Sequence, residues 1–197
     1  MDYMEKFYEL FRHDLKTERL EMRMLRPTME NAKMIYDVWK QENPEDYKYT
    51  NYSAPNKSRF AQSAEEILEI MKTDFGYENG CAYYVFHNNK MIGYMRVHFW
   101  DYSKTLQCAS VWLIKSARGY GFSKEIHDKL EDIAFNGLHV NRICRQTMAG
   151  NKESKKSIKA AGYHLDGRDR AANHLSDGRY MDHLWFSKLA SEYKKQK

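Results

Sequence analysis

Cysteine and proline are scarce in this chain, with three of each in 197 residues, and long apolar runs are missing. Cys81, Cys108 and Cys144 are odd in number, far apart and outside any CxxC or Cys/His spacing, so neither a disulfide framework nor a structural zinc site is expected. His164, His174 and His183 also lack ligand spacing, and no metal is expected. No run approaches the roughly 20 apolar residues of a membrane span, and Met1–Lys6 carries acids where a signal peptide needs bases. A reducing, cytoplasmic setting without a membrane partner is the expectation. Neither charge sign dominates: Lys and Arg number 32, Asp and Glu 27, for a net charge of +5. The basic residues are dispersed, the densest groups being Lys152, Lys155, Lys156 and Lys159 and the tail 194–197, so nucleic acid is not an expected partner. Two common phosphate-binding patterns, GxxxxGK[ST] and GxGxxG, are absent as well.

What is present suits one catalytic domain. A hydrophobic fraction of 42% and an aromatic fraction of 14% can fill a core at this length, while a mean hydropathy of −0.83 indicates a polar surface. The spacing predicts a short leading helix over 4–11 and a strand at 19–25. A helix then starts after Thr28 as N-cap, and a second at Ser63, opened by a capping box with Glu66. Two strands, 83–86 and 91–99, form a hairpin turned at 87–90, and a third covers 106–114. A long helix follows, striped by Phe122, Ile126, Leu130, Ile133 and Ala134, with His127 between the stripes and so expected at the surface. A strand at 142–148, a short helix from Asn151, and strands at 163–168 and 180–187 complete the order β-α-α-β-β-β-α-β-α-β-β. The loop 41–62, with Tyr47, Tyr49, Tyr52 and Phe60, is a candidate roof for an acceptor site or ordinary packing over the first helices.

The sharpest local signal is the turn that joins the strand 106–114 to the long helix, Arg118-Gly119-Tyr120-Gly121-Phe122-Ser123. Glycines at 119 and 121 allow positive φ and close approach of a ligand. The helix start that follows offers free amides and the favourable end of its dipole to an anion, and Lys115, Arg118 and Lys124 add positive charge.

This turn resembles the (Q/R)-x-x-G-x-(G/A) acetyl-CoA loop of the GCN5-related N-acetyltransferases (GNAT), with serine as the final small residue. Downstream, Asn151-Lys152-Glu153-Ser154 and Gly162-Tyr163 are similar to the N-x-x-S-(x)n-G-(F/Y) signature of the Rim-like branch. Leu15-Lys16-Thr17-Glu18-Arg19-Leu20 resembles that branch's opening strand, and Tyr180–Trp185 its closing one. The resemblance covers residues 15–190 as the catalytic domain, with 1–14 as a helical extension and 191–197 as a basic tail. It implies a mixed α/β fold, a strongly twisted sheet of about seven strands flanked by about four helices.

The resemblance further implies transfer of an acetyl group from acetyl-CoA to a primary amine, on a peptide or a small molecule, in a ternary complex. Arg118, Gly119, Tyr120, Gly121, Phe122 and Ser123 would hold the diphosphate and Asn151 the pantetheine arm. A backbone amide near Leu113 or Ile114 would stabilise the developing oxyanion, and Ser154 would protonate the leaving thiolate. Asn151 reads equally as a helix cap. Relatives often carry a glutamate base in the run that is Gln107–Trp112 here, and Cys108 stands in its place. Asp101 and His98 could act instead, or a water could carry the proton, and a missing carboxylate would favour N-terminal or other weakly basic amines. Dimers are frequent among such relatives, so a homodimer is possible. The alternative from another class is an acyl-CoA sensor or interaction module without catalysis.

Overall fold

In the computed structural model, which describes residues 2–47, 49, 61–175 and 177–193, the chain folds around one eight-stranded sheet. Tyr52, Phe60 and the tail 194–197 lie outside the described residues. The strands are β1 (Leu15–Lys16), β2 (Glu21–Arg23), β3 (Gly80–His87), β4 (Lys90–Trp100), β5 (Thr105–Leu113), β6 (Arg142–Met148), β7 (His164–His174) and β8 (Tyr180–Leu189), and they lie in the order β1-β2-β3-β4-β5-β6-β8-β7. Every neighbouring pair is antiparallel except β5 and β6. The helices are α1 (Tyr3–Phe11), α2 (Met29–Trp39), α3 (Ala64–Phe75), α4 (Phe122–Asp132), α5 (Lys152–Ala160) and α6 (Ala190–Tyr193). The result is the mixed α/β architecture the resemblance implies, with one strand and two helices more.

Local chemistry accounts for most of the boundaries. Thr28 Oγ1 accepts the Asn31 amide at 3.3 Å and Ser63 Oγ the Glu66 amide at 3.3 Å, so both expected caps open their helices. The Glu66 carboxylate takes the Gln62 amide at 2.8 Å in place of the Ser63 amide of a full capping box. The β3–β4 hairpin turns on Asn88 and Asn89, both at positive φ, the residue type that a two-residue turn of this hand selects.

Helices cover both faces of the sheet. On one, Met95, Val97, Phe99, Leu106 and Cys108 pack with α1 and α4; on the other, Tyr84, Tyr94 and Trp112 pack with α2 and α3. Phe7 and Phe11 of α1 are fully buried, and Phe7 stacks on Phe99 at 5.3 Å. Helix α1 is therefore packed into the core. Tyr193 is similarly buried, its ring 4.7 Å from Phe135.

His127 is a clear departure, because it is buried and not at the surface. α4 packs on the sheet and also against Tyr163, which follows α5, widening its buried stripe to include His127 and Glu131. Glu131 accepts hydrogen bonds from Tyr163 at 2.9 Å and from Lys188 of β8 at 2.7 Å, and the Lys188 ammonium stands 4.8 Å from the Tyr163 ring. Burial, reinforced by the nearby cations Arg145 and Lys188, pushes the His127 pKa well below its ordinary value and keeps the ring neutral.

Candidate active site

The turn between β5 and α4 has the geometry of an anion cradle. Gly119 and Gly121 have φ of 86° and 82°, in the left-handed region that costs a residue with Cβ about 1–2 kcal/mol. No side chain caps the α4 N-terminus, and the amides of Phe122, Ser123 and Lys124 find no acceptor among the described residues, as a first helical turn requires of a partner outside the helix. Phe122 is buried and anchors the turn; Tyr120 is exposed.

The cations around the turn are braced from outside it. Arg118 Nε donates to the Leu113 carbonyl at 3.1 Å and Nη1 to the Asp46 carbonyl at 3.3 Å, with the guanidinium 4.7 Å from the Tyr47 ring. Lys115 pairs with Asp46 at 3.1 Å, and its amide donates to Glu42 at 2.9 Å. A short 3₁₀ turn, Pro44–Tyr47, is thereby fastened to the loop. Lys124 pairs with Asp128, so part of the positive charge expected for a ligand is balanced internally.

The opening strand contributes a buttress not foreseen from the sequence. Glu125, in the first turn of α4, accepts from Thr17 Oγ1 at 2.5 Å, the Arg19 amide at 2.9 Å and Arg19 Nε at 2.7 Å, while Arg19 Nη1 donates to the Tyr120 carbonyl at 3.0 Å. Burial raises the Glu125 pKa, but the Thr17 hydroxyl, the Arg19 amide and the Arg19 guanidinium outweigh it and hold the carboxyl below its ordinary value. The Thr17-Glu18-Arg19 segment thus fixes the carbonyl between the two loop glycines.

Beside the turn the sheet parts. β5 pairs with β6 only from Thr105–Arg142 to Cys108–Arg145, after which the two strands separate. At that point the β4–β5 register shifts, leaving Ala109 as an extra residue on β5, the signature of a bulge that re-aims a strand. Ile114 donates its amide to the Ile92 carbonyl at 2.9 Å, so it has no free donor and drops out as an oxyanion group. Leu113 lies opposite Gly93 and Val111 opposite Met95. By the alternation of an antiparallel ladder their amides point away from β4, into the parting.

At the far side of the parting β6 leads into α5. Asn151 Oδ1 accepts the Ser154 amide at 3.1 Å, the capping geometry, which leaves Nδ2 without a partner among the described residues. Ser154 is part-buried and its hydroxyl has no partner there either. Tyr49 closes over this end, because a methyl group on Gly150 would stand 2.6 Å from the Tyr49 ring and 2.8 Å from Met181.

The base candidates fare differently. Asp101 follows Trp100, which pairs with Thr105 at the opposite end of β5 from Leu113, a separation of roughly 27 Å along an extended strand. It is exposed and accepts the Tyr102 amide, and it is excluded as a base by position. His98 faces the open side of the sheet opposite Gln107, but its Nδ1 is bonded to the Tyr77 hydroxyl on the β3 side, away from the parting. Burial, then Arg96, lowers its pKa. Cys108 points into the α4 core, and burial pushes its thiol up to about 12. Gln107, its neighbour, pairs with His98 and is buried.

A second cluster lies across β6 from the parting, on β8 and β7. His183 of β8 lies opposite Met148 of β6, with Nε2 2.9 Å from Gln146 Oε1 and Nδ1 3.2 Å from Asn173 Nδ2 and 3.3 Å from Asn173 Oδ1. Trp185 lies next along the same face, its ring 5.1 Å from His183, and donates Nε1–H to Asp169 at 2.6 Å. Only the insertion of β8 between β6 and β7 brings these residues together. The two-residue alternation of His183 and Trp185 is their one trace in the sequence.

Comparison with known proteins agrees with this geometry. Residues 19–164 match the acetyltransferase (GNAT) domain family. N-acetyltransferase p20 of Bacillus licheniformis is 26% identical over 91% of this chain and 97% of its own length. Among solved structures, the microcin C7 self-immunity acetyltransferase MccE in complex with acetyl-CoA and AMP superposes with a TM-score of 0.75 at 17% identity, covering 88% of this chain and 93% of that one. RimL, the ribosomal L7/L12 alpha-N-protein acetyltransferase in complex with coenzyme A, does so with a TM-score of 0.73 at 17% identity, covering 88% and 95%. With its split sheet, glycine turn and matched domain, this chain belongs to the GNAT acetyltransferase family.

Proposed function

We propose that the protein acetylates a weakly basic primary amine, with the α-amine of a polypeptide N-terminus as the leading acceptor. The observation that carries this reading is the parting of β5 from β6 directly upstream of a turn with two left-handed glycines. The fit to acetyl-CoA rests on unpaired donors: the first-turn amides of α4 suit the diphosphate, and the amides of Val111 and Leu113 suit the amide-bearing arm and the thioester carbonyl. Asn151 Nδ2 and the Ser154 hydroxyl are further groups for the arm and the leaving sulfur. When bound, the cofactor supplies an activated acetyl group to an incoming nitrogen. The residues of this chain orient the carbonyl with pre-aimed dipoles, offer a hydroxyl near the departing thiolate, and screen the site from water beneath Tyr49.

The acceptor class is drawn from the site's polarity. Described side chains on this face of β6, which borders the parting, are Gln146 and Met148, with His183 and Trp185 one strand further on β8 and Asp169 as the near carboxylate. A free α-amine, with a pKa of about 8 against about 10.4 for lysine, needs no strong base. RimL is named for such an acceptor, which supports the choice. Calorimetry with acetyl-CoA tests the cofactor: wild type should bind, and Gly121→Glu should weaken binding by about tenfold or more, equivalent to about 1.4 kcal/mol. Thiol release with free-amine peptides, polyamines and amine-bearing antibiotics then tests the acceptor. Binding without release on any amine would favour the sensor reading.

A further inference from the structure

We propose that Tyr47 and Tyr49 bridge the mouth of the parting between β5 and β6 and seat the acceptor amine there, with Arg118 and Gly150 as the positioning residues that anchor the bridge at its two ends. The assignment rests on the transferase reading above and adds the wall against which the amine meets the thioester. It also gives Arg118 a different task from the diphosphate contact that its motif implies.

Placement is the first argument. The last shared rung of the two strands is Cys108–Arg145, and beyond it β5 runs on to Leu113 and β6 to Met148. Tyr47 belongs to the β5 side: its ring lies 4.7 Å from the Trp112 ring and 4.7 Å from the Arg118 guanidinium. Tyr49 belongs to the β6 side, because a methyl group on Gly150, two residues past Met148, would stand 2.6 Å from its ring. One residue separates the two tyrosines, so their Cα atoms are at most about 7 Å apart. The chain therefore passes here from one bank of the parting to the other. Tyr47 and Trp112 pack on the α2 and α3 face of the sheet, whereas Phe122, at the start of α4, packs on the opposite one. A cofactor held by α4 and an amine seated on the bridge thus meet in the parting from opposite faces. Tyr49 is half-buried, and the part of its ring left open attracts an ammonium group.

Anchoring is the second argument. On the β5 side Arg118 spends Nε on the Leu113 carbonyl and Nη1 on the Asp46 carbonyl, both acceptors within the protein, and lays its plane near the Tyr47 ring. A planar guanidinium can grip two carbonyls and stack on a ring at once, which a lysine ammonium cannot. Glu42 ties the same corner together, accepting the Lys115 amide at 2.9 Å and the Tyr47 hydroxyl. Burial, then Glu42, pushes the Tyr47 pKa up, so the hydroxyl keeps the proton it donates. On the β6 side the grip is steric. The Gly150 amide donates to Met181 Sδ at 3.2 Å, and Tyr49 and Met181 close over the space that a Cβ would fill. Gly150 is not among the positive-φ glycines, so its lack of a side chain serves this close approach and not a backbone angle.

The test compares wild type with Tyr49→Ala, Gly150→Ala, their double variant, Arg118→Met and Arg118→Lys, using acetyl-CoA and whichever amine of the panel gives the fastest thiol release. Calorimetric binding of acetyl-CoA shows that each variant is folded. Tyr49→Ala and Gly150→Ala should each raise KM for the amine about tenfold, with affinity for acetyl-CoA within about twofold of wild type, the pattern of lost acceptor binding. In the Tyr49→Ala background Gly150→Ala should add nothing, since the new methyl group has no ring left to displace. Arg118→Met should raise the amine KM more than it weakens acetyl-CoA, and Arg118→Lys should not restore it. An unchanged amine KM in Tyr49→Ala, or additive losses in the double variant, overturns the bridge. An acetyl-CoA affinity that falls in Arg118→Met as far as the amine KM rises returns Arg118 to the diphosphate. All of these leave the transferase reading intact, whereas a wild type that binds acetyl-CoA but acetylates no amine overturns both.

Discussion

Asn151 shows how one side chain can serve two purposes that a pair of substitutions separates. Its Oδ1 caps α5 through the Ser154 amide while Nδ2 has no partner among the described residues. Asn151→Ala should lose about 1 kcal/mol of stability with the cap as well as cofactor affinity. Asn151→Asp keeps a capping oxygen but exchanges the NH₂ donor for a second acceptor. It should melt like wild type yet bind acetyl-CoA more weakly; equal affinity would reduce Asn151 to a cap. At this scale the sequence is informative wherever the chemistry is local. Gly119, Gly121, Thr28 and Ser63 are read correctly because φ and capping depend on a few neighbours. Ile114 and Cys108 are not, since the direction of an amide or a side chain on β5 depends on the register that Ala109 shifts, and no residue type announces that shift; Asp101, which follows β4, misses because strand pairing puts it at the end of β5 away from Leu113.

Between elements, the telling contact is the one joining the β1–β2 segment to α4. Thr17 and Arg19 converge on Glu125, and Arg19 also holds the Tyr120 carbonyl, so the glycine turn is clamped from the opening strand. Glu125→Gln removes the charge but not the size. It should weaken acetyl-CoA binding several-fold, on the scale of a lost charge-assisted hydrogen bond of about 1.5–3 kcal/mol partly absorbed by the remaining bonds. Calorimetry of the variant checks this, and unchanged affinity would show the clamp to be unrelated to the turn. The order of helices and strands is legible from periodicity because each element carries its own stripe. Their adjacency is not: that β8 enters between β6 and β7, or that Thr17 meets Glu125, is set by long-range packing.

Across the whole molecule, the buried His127 couples stability to pH. Its pKa is depressed in the folded state from an unfolded value of about 6.5. Below that pH the unfolded chain binds a proton that the folded chain refuses, so stability is complete above about pH 6.5 and declines as pH falls toward the folded pKa. Urea unfolding between pH 7.5 and 5.5 should show this decline, and His127→Gln should flatten it. A slope that survives the substitution would point to other groups.

The parting of β5 and β6 has a consequence for heat resistance. Val111 and Leu113 hold out their amides with no neighbouring strand among the described residues to receive them, so the sheet is a ladder with rungs missing along one side. A bound molecule that carries its own peptide-like groups completes that ladder and becomes a keystone of the fold. The melting temperature should therefore climb with the logarithm of acetyl-CoA concentration, gaining about 2.7 kcal/mol when the ligand exceeds its dissociation constant a hundredfold, and a thermal shift series would trace that rise.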